Sequence, residues 1–213
     1  MINRELYMEQ ITPFIDKPFV KVITGIRRCG KSVVLRLIRE ELLRRGVSED
    51  YIIYMNFESF EWIDMKEAKA LYAHIREATK ASGKYYILLD EIQEVTDWEK
   101  AVNAFLVDLD VDIYVTGSNS RLLSSEFSTY LAGRYVAFHI MTLSFREYLL
   151  FHDLPLTISV SDRKTEFLKY LRMGGFPAIH TANYDYNAIY KIVYDIYSSV
   201  ILRDTVQRHN IRN

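Results

Sequence analysis

The chain of 213 residues is 49% hydrophobic and 26% charged, with a formal net charge of −1 at pH 7, values typical of a folded globular chain and too apolar for extended disorder. That near-neutral balance excludes a whole-surface electrostatic attraction to nucleic acid or anionic lipid, while leaving room for local patches. No apolar run approaches the roughly 20 residues of a bilayer span, and the start MINRELYMEQI has no basic-then-apolar leader pattern, so a cytoplasmic protein with no membrane partner is expected.

Along the chain, Phe19 to Thr24 (FVKVIT), β-branched and bounded by Pro18 and Gly25, predicts a buried strand. It runs directly into Gly25-Ile26-Arg27-Arg28-Cys29-Gly30-Lys31-Ser32, which matches G-x-x-x-x-G-K-[ST], a pattern expected roughly 0.002 times by chance at this composition. From Ser32 to Arg45 the residues Val34, Leu35, Leu37, Ile38 and Leu42 recur at helical spacing, and Gly46 stands where a left-handed C-terminal cap belongs. Strand, loop and helix together make the motif a candidate phosphate-binding loop rather than a turn rich in basic residues. Its nucleotide-binding run is Gly25, Ile26, Arg27, Arg28, Cys29, Gly30, Lys31, Ser32 and Val33. Backbone N–H groups from Arg28 to Lys31 would wrap the β-phosphate, Lys31 would reach the β and γ oxygens, and the Ser32 hydroxyl would ligate Mg²⁺. Cys29, the single cysteine, has no partner for an internal disulfide, and a thiol near a helix N-terminus is open to oxidation as a side effect.

Tyr51 to Phe57 predicts a second strand, Lys66 to Ser82 a helix closed by Gly83 with Ala68, Leu71, Tyr72, Ile75 and Ala78 on one face, and Tyr85 to Asp90 (YYILLD) a third strand. That strand ends in Asp90-Glu91, at the sheet edge where ligands of α/β proteins bind. Asp90 would hold the Mg²⁺ shell and Glu91 would orient or deprotonate the attacking water, whereas the plainer reading is an acidic turn before a helix. A helix from Asp97 to Leu109, built on Trp98, Val102, Phe105 and Leu106, precedes a fourth strand, Val111 to Thr116. After it, Ser118 or Asn119 would sense the γ-phosphate or position the water, or else Asn119 or Ser120 caps the next helix, Arg121 to Leu131. Arg134, just past Gly133, is either a solvated surface charge or a cation reaching a neighbouring copy. A fifth strand lies near Tyr135 to Met141.

Strand and helix alternate throughout this part, which predicts a parallel α/β sheet with helices on both faces over residues 1–143. Residues 144–213 read as a helical extension, a lid or the start of a further domain, with helices from Ser144 to Phe151, Arg163 to Met173 and Tyr186 to Arg208. No stop signal follows the last of these, so the chain is expected to continue. The tyrosines from Tyr184 to Tyr197 read as helix packing, and the arginines Arg36, Arg39, Arg44 and Arg45 as a solvated face with Glu40–Arg44 and Glu41–Arg45 pairs. The five histidines have no metal-site spacing.

Taken as a set, GIRRCGKS, YMNFE, LLDEIQEVTDWE, VTGSNSRLLSSE, LAGRY, LSFREYL, GGFP and ILRD resemble the prokaryotic P-loop ATPases of the AAA+ and STAND branch that carry a C-terminal domain of unknown function. The resemblance implies a sheet of the ASCE type in the order 5-1-4-3-2, with Ser118 and Asn119 between Lys31 and Glu91, and Arg134 as an arginine finger. It also implies that most of the C-terminal domain lies beyond these residues. Arg163, Arg172 and Arg203 are candidates for a second sensor, without a motif to choose among them. The expected activity is hydrolysis of Mg-ATP coupled to movement of a C-terminal domain or partner. The alternative is a slowly hydrolysing switch that recruits a protein or DNA, and either could work as a homo-oligomer. No N-K-x-D motif favours GTP, and adjoining Mg²⁺ and water carboxylates suit hydrolysis better than a small-molecule kinase.

Overall fold

Three of the five strands are buried along almost their whole length, so each must be covered on both faces, as in a parallel sheet wrapped by helices. The computed structural model describes residues 4–117, 131–182 and 184–200. Among these, Glu5–Gly25 and Lys31–His139 form one compact unit, and Arg4, Ile26–Gly30 and the chain from Ile140 form the other.

The first unit contains α1 (Glu5–Ile11), β1 (Val20–Gly25), α2 (Lys31–Arg44), β2 (Ile52–Asn56), α3 (Ala68–Ala78), β3 (Tyr85–Asp90), α4 (Trp98–Asp108), β4 (Val111–Gly117) and β5 (Tyr135–Ile140). The sheet is parallel with the order β2-β3-β4-β1-β5, the predicted 5-1-4-3-2 read from the other edge. Side chains alternate between the faces of a strand. Val20, Val22, Ile87, Leu89, Ile113 and Val115 accordingly join Leu71, Ile75, Trp98, Val102 and Phe105 in the core beneath α3 and α4. The opposite parity faces α2, whose Val34, Leu35, Ile38 and Leu42 are buried. That second face also carries a polar group inside the sheet: Lys21 pairs with Asp112, and the Tyr114 hydroxyl donates to Asp112 at 2.8 Å. Burial depresses the Lys21 amine below its ordinary range despite the carboxylate beside it. The edge strands β2 and β5 are only partly buried.

Helix ends differ from the sequence reading in instructive ways. Gly46 does adopt a left-handed φ of 88°, and the Val47 N–H reaches back to the Leu42 carbonyl at 3.1 Å, closing α2 as predicted. Helix α3 instead stops at Ala78, well before Ser82: Thr79 leaves the helical region at φ −102° and ψ 26°, and both its N–H and its hydroxyl donate to the Ile75 carbonyl at 2.9 Å. The α1 helix was not expected at all: seven residues give too little periodicity to stand out. Arg44 and Arg45 both converge on Glu41, in place of a separate Glu40–Arg44 pair.

The second unit contains α5 (Phe145–Phe151), α6 (Val160–Met173) and α7 (Tyr186–Val200), with a short 3-10 turn Pro177–His180. Ser144 and Glu147 cap α5 reciprocally. An aromatic cluster joins α5 to α6: the Phe145 ring meets Phe167 edge-on at 5.1 Å and Tyr170 at 5.7 Å. The Tyr170 hydroxyl donates to the Leu143 carbonyl at 2.8 Å. His152 and His180 touch through ring nitrogens at 3.1 Å, a pairing that their distance in sequence hides. The tyrosines of α7 correct the packing expectation, since Tyr190, Tyr194 and Tyr197 are 72%, 58% and 62% exposed while Ile189 and Ile196 are buried. No helix among the described residues is long and apolar enough to cross a membrane.

Candidate functional site

The parallel pairings bring the C-terminal ends of β1, β3 and β4 to one edge, with Thr24 opposite Gly117 and Asn56 opposite Asp90. Tyr54, Asp90 and Thr116 have the same parity and project from the face that α2 covers. Asp90 is wholly buried. Its Oδ2 accepts a hydrogen bond from the Tyr54 hydroxyl at 3.0 Å, and its Oδ1 accepts one from the Thr116 hydroxyl. Thr116 Oγ1 accepts in turn from the Glu91 N–H at 2.9 Å, so one hydroxyl locks both acidic residues to β4. Burial beside the Asp90 carboxylate pushes the Tyr54 phenol well above its ordinary value, which keeps it a donor.

Glu91 leaves the strand in the left-handed region, φ 55° and ψ 48°, an uncommon conformation for a residue with a side chain. The turn delivers its carboxylate to the start of α2, where Lys31 Nζ lies 3.4 Å from Glu91 Oε1 and 3.3 Å from the Gly25 carbonyl. Lys31 is 4% exposed. The other Glu91 oxygen accepts from Gln93 Nε2 at 2.5 Å, while Gln93 Oε1 is buried with no hydrogen-bond partner among the described residues. Lys31 and Glu91 therefore meet as a cation and a carboxylate at the helix start, with the buried Asp90 carboxylate next to Glu91 in the chain and joined to it through Thr116. Tyr54, Thr116 and Gln93 are contacts that the sequence reading did not assign. Only the strand register, invisible in one sequence, puts Tyr54 beside Asp90.

The loop Ile26–Gly30 has left-handed backbone at Arg28 (φ 66°) and Gly30 (φ 103°), with the Cys29 N–H bonded to the Ile26 carbonyl at 3.2 Å. Ile26 and Arg28 are exposed, Arg27 is half-buried, and Ser32 and Val33 in the first turn of α2 are half-buried. Cys29 is fully buried, which withholds its thiol from oxidants and overturns the reading of an oxidisable group. Arg134 is not brought to this site. It is exposed at the start of β5, its carbonyl accepts from the Val20 N–H at 2.9 Å and its guanidinium donates to Asn103 at 3.0 Å. The length of β1, about 16 Å, separates that end of the sheet from Gly25. Arg163 and Arg172 lie on α6. Ser118, Asn119, Ser120, the expected helix from Arg121 and Arg203 fall outside the described residues.

A five-stranded parallel sheet in this order, with the P-loop motif between β1 and α2, is the fold of a P-loop NTPase. Residues 17–149 match the AAA domain family, and the chain belongs to it. Across its whole length the chain is 40% identical to an uncharacterized protein of Haemophilus influenzae, of which it covers 52%. It is 35% identical to one of Methanocaldococcus jannaschii, of which it covers 46%. The chain thus spans about half the length of these curated relatives. Among solved structures, AMPPCP-bound DnaA from Aquifex aeolicus matches with a TM-score of 0.55 at 15% identity, over 98% of this chain and 68% of that one. The RuvB Holliday junction branch migration motor of Thermotoga maritima matches with a TM-score of 0.50 at 16% identity, over 94% and 62%. At these identities the two structures bear on the fold alone.

Proposed function

We propose that the protein binds Mg-ATP and hydrolyses it to ADP and phosphate. The observation that carries this reading is the convergence of Lys31, the last-but-one residue of the P-loop motif, on Glu91, the residue after a buried strand-end aspartate. Asp90 fits a hard cation: it is fully buried, and among the described residues both its oxygens accept from hydroxyls and neither from a cation. Mg²⁺ held by Ser32 and Asp90 would neutralise charge developing on the phosphate oxygens. Gly25 to Val33 contribute backbone donors and Lys31 the cation for the β and γ oxygens. When Lys31 turns to phosphate, Glu91 loses its ion-pair partner and becomes free to take a proton from water. Water oxygen bonds to the γ-phosphorus, the bond from that phosphorus to the β–γ bridging oxygen breaks, and ADP leaves with the bond electrons. Ser118 or Asn119 completes the site as sensor.

The nucleotide unit is assigned to residues 1–143 and the helical part to residues 144–213, with hydrolysis driving movement of further chain or of a partner protein. Arg134, remote from its own Lys31, is assigned to the site of a second copy in a homo-oligomer. A second reading is a slowly hydrolysing switch that recruits a protein or DNA. It draws on the engagement of both Glu91 oxygens, by Lys31 and by Gln93, which makes release of the base a separate step. Steady-state phosphate release from ATP and GTP by wild type and Lys31→Ala tests the main reading. Magnesium-dependent release from ATP should exceed that of Lys31→Ala by at least about 100-fold. Equal release by the two proteins rejects it, and a wild type that releases phosphate faster from GTP rejects the assignment of ATP.

A further inference from the structure

Arg4 is buried to 2% exposure within the unit that holds the loop Ile26–Gly30. Its guanidinium joins three segments of that unit. Nε donates to Glu147 Oε1 at 2.6 Å and Nη2 to Glu147 Oε2 at 3.4 Å, a side-on fork on one carboxylate. Nη2 also donates to the Met141 carbonyl at 3.0 Å, and Nη1 to the Cys29 carbonyl at 2.9 Å. Glu147 is itself fixed, since its Oε2 accepts from the Ser144 N–H at 2.8 Å and from the Ser144 hydroxyl at 2.9 Å in the cap of α5. The guanidinium is therefore anchored on two sides before it meets the loop.

The peptide that it meets joins Cys29 to Gly30, and the chain has no cis bond. In a planar trans peptide the C=O and the following N–H point in opposite directions. With the Cys29 carbonyl turned onto Arg4, the Gly30 N–H must point away from it. Gly30 lies close enough that a Cβ added there would stand 3.3 Å from Arg4 Nη1, at a φ of 103°. Both peptide orientations are open to a glycine-containing link, so a fixed external donor is what selects one. We propose that Arg4, buttressed by Glu147, is the positioning residue of the P-loop. It holds the Cys29–Gly30 peptide so that the Gly30 N–H is presented to a nucleotide phosphate, and this role rests on the nucleotide-binding reading above. A buried arginine that merely holds its unit together would cost stability when replaced but would not single out this peptide.

Binding of Mg-ADP by the whole chain, as wild type, Arg4→Lys, Arg4→Met and Glu147→Gln, separates the two roles. It is read together with the Gly30 amide resonance and the thermal midpoint without nucleotide. Lysine keeps the charge but cannot reach Glu147, Met141 and Cys29 at once. Arg4→Lys should fold, shift the Gly30 amide and weaken Mg-ADP about tenfold or more. Glu147→Gln should give a smaller loss in the same direction, and Arg4→Met a larger one. If Arg4→Met does not fold, the lysine variant decides. Mg-ADP binding by Arg4→Lys within twofold of wild type overturns the proposal alone, as does weakened binding with an unmoved Gly30 amide. Failure of the wild type to bind Mg-ADP or Mg-ATP overturns the nucleotide reading, and this inference with it.

Discussion

Glu91 has the most constrained surroundings of the acidic pair: a left-handed backbone, an N–H given to Thr116, and a carboxylate shared between Lys31 and Gln93. Asp90 is held by two neutral hydroxyls, those of Tyr54 and Thr116, so its orientation depends on both. Tyr54→Phe deletes one of them without changing the shape of β2. This change should leave the fold intact, raise the Mg²⁺ concentration for half-maximal turnover and lower turnover about three- to tenfold at fixed Mg²⁺. A magnesium titration of both proteins measures it, and superimposable curves would remove Tyr54 from the account. Thr116 is harder to replace, because its hydroxyl serves Asp90 and Glu91 together. At this scale the pair Asp90-Glu91 was legible from an apolar strand ending in two acids, and Lys31 from its motif. Tyr54 was not, because it becomes a neighbour only through the pairing of β2 with β3.

The helix α2 carries the P-loop lysine at its first residue, and its last turns are held by local charge. Arg44 and Arg45 hydrogen-bond Glu41 and pull its carboxyl down to about 2. The folded value is below that of an unfolded glutamate, so the contribution is fully present above about pH 4.5 and is lost as pH falls towards 2. Arg44 is largely in solvent and Arg45 partly so, which screens the pair and keeps its effect small. Glu41→Gln should lower the urea midpoint slightly at pH 7 and leave it unchanged near pH 2; an equal difference at both pH values would contradict the assignment. Strands β3 and β4 and helix α4 were readable to within a residue or two, because buried runs and a 3.6-residue period leave strong signals. The C-terminal end of α3 and the whole of α1 were not, since Thr79, where α3 ends, is no strong breaker in sequence and the seven residues of α1 carry too little period to stand out.

For the molecule as a whole, strand order came from the resemblance of a set of motifs, and the sheet has that order. Arg4 left no signal in the sequence, because its partners Met141 and Glu147 are more than a hundred residues away. Arg134 shows the reverse: a motif marks it, yet the sheet sets it a strand's length from the site. If it acts on a second copy, mixing Arg134→Ala with Lys31→Ala protein should restore part of the ATP hydrolysis that each lacks alone, with a maximum at intermediate ratios. Phosphate release that stays at the level of the separate proteins at every ratio would leave Arg134 as a surface charge.

The central claim, that Glu91 is the base of an ATP-hydrolysing site, is tested most directly by Glu91→Gln. Removing the charge while keeping the shape should preserve the Mg-ATP dissociation constant within about threefold and lower phosphate release by about 100-fold or more. Phosphate release by Glu91→Gln at the wild-type rate, with Mg-ATP bound equally well, would contradict it.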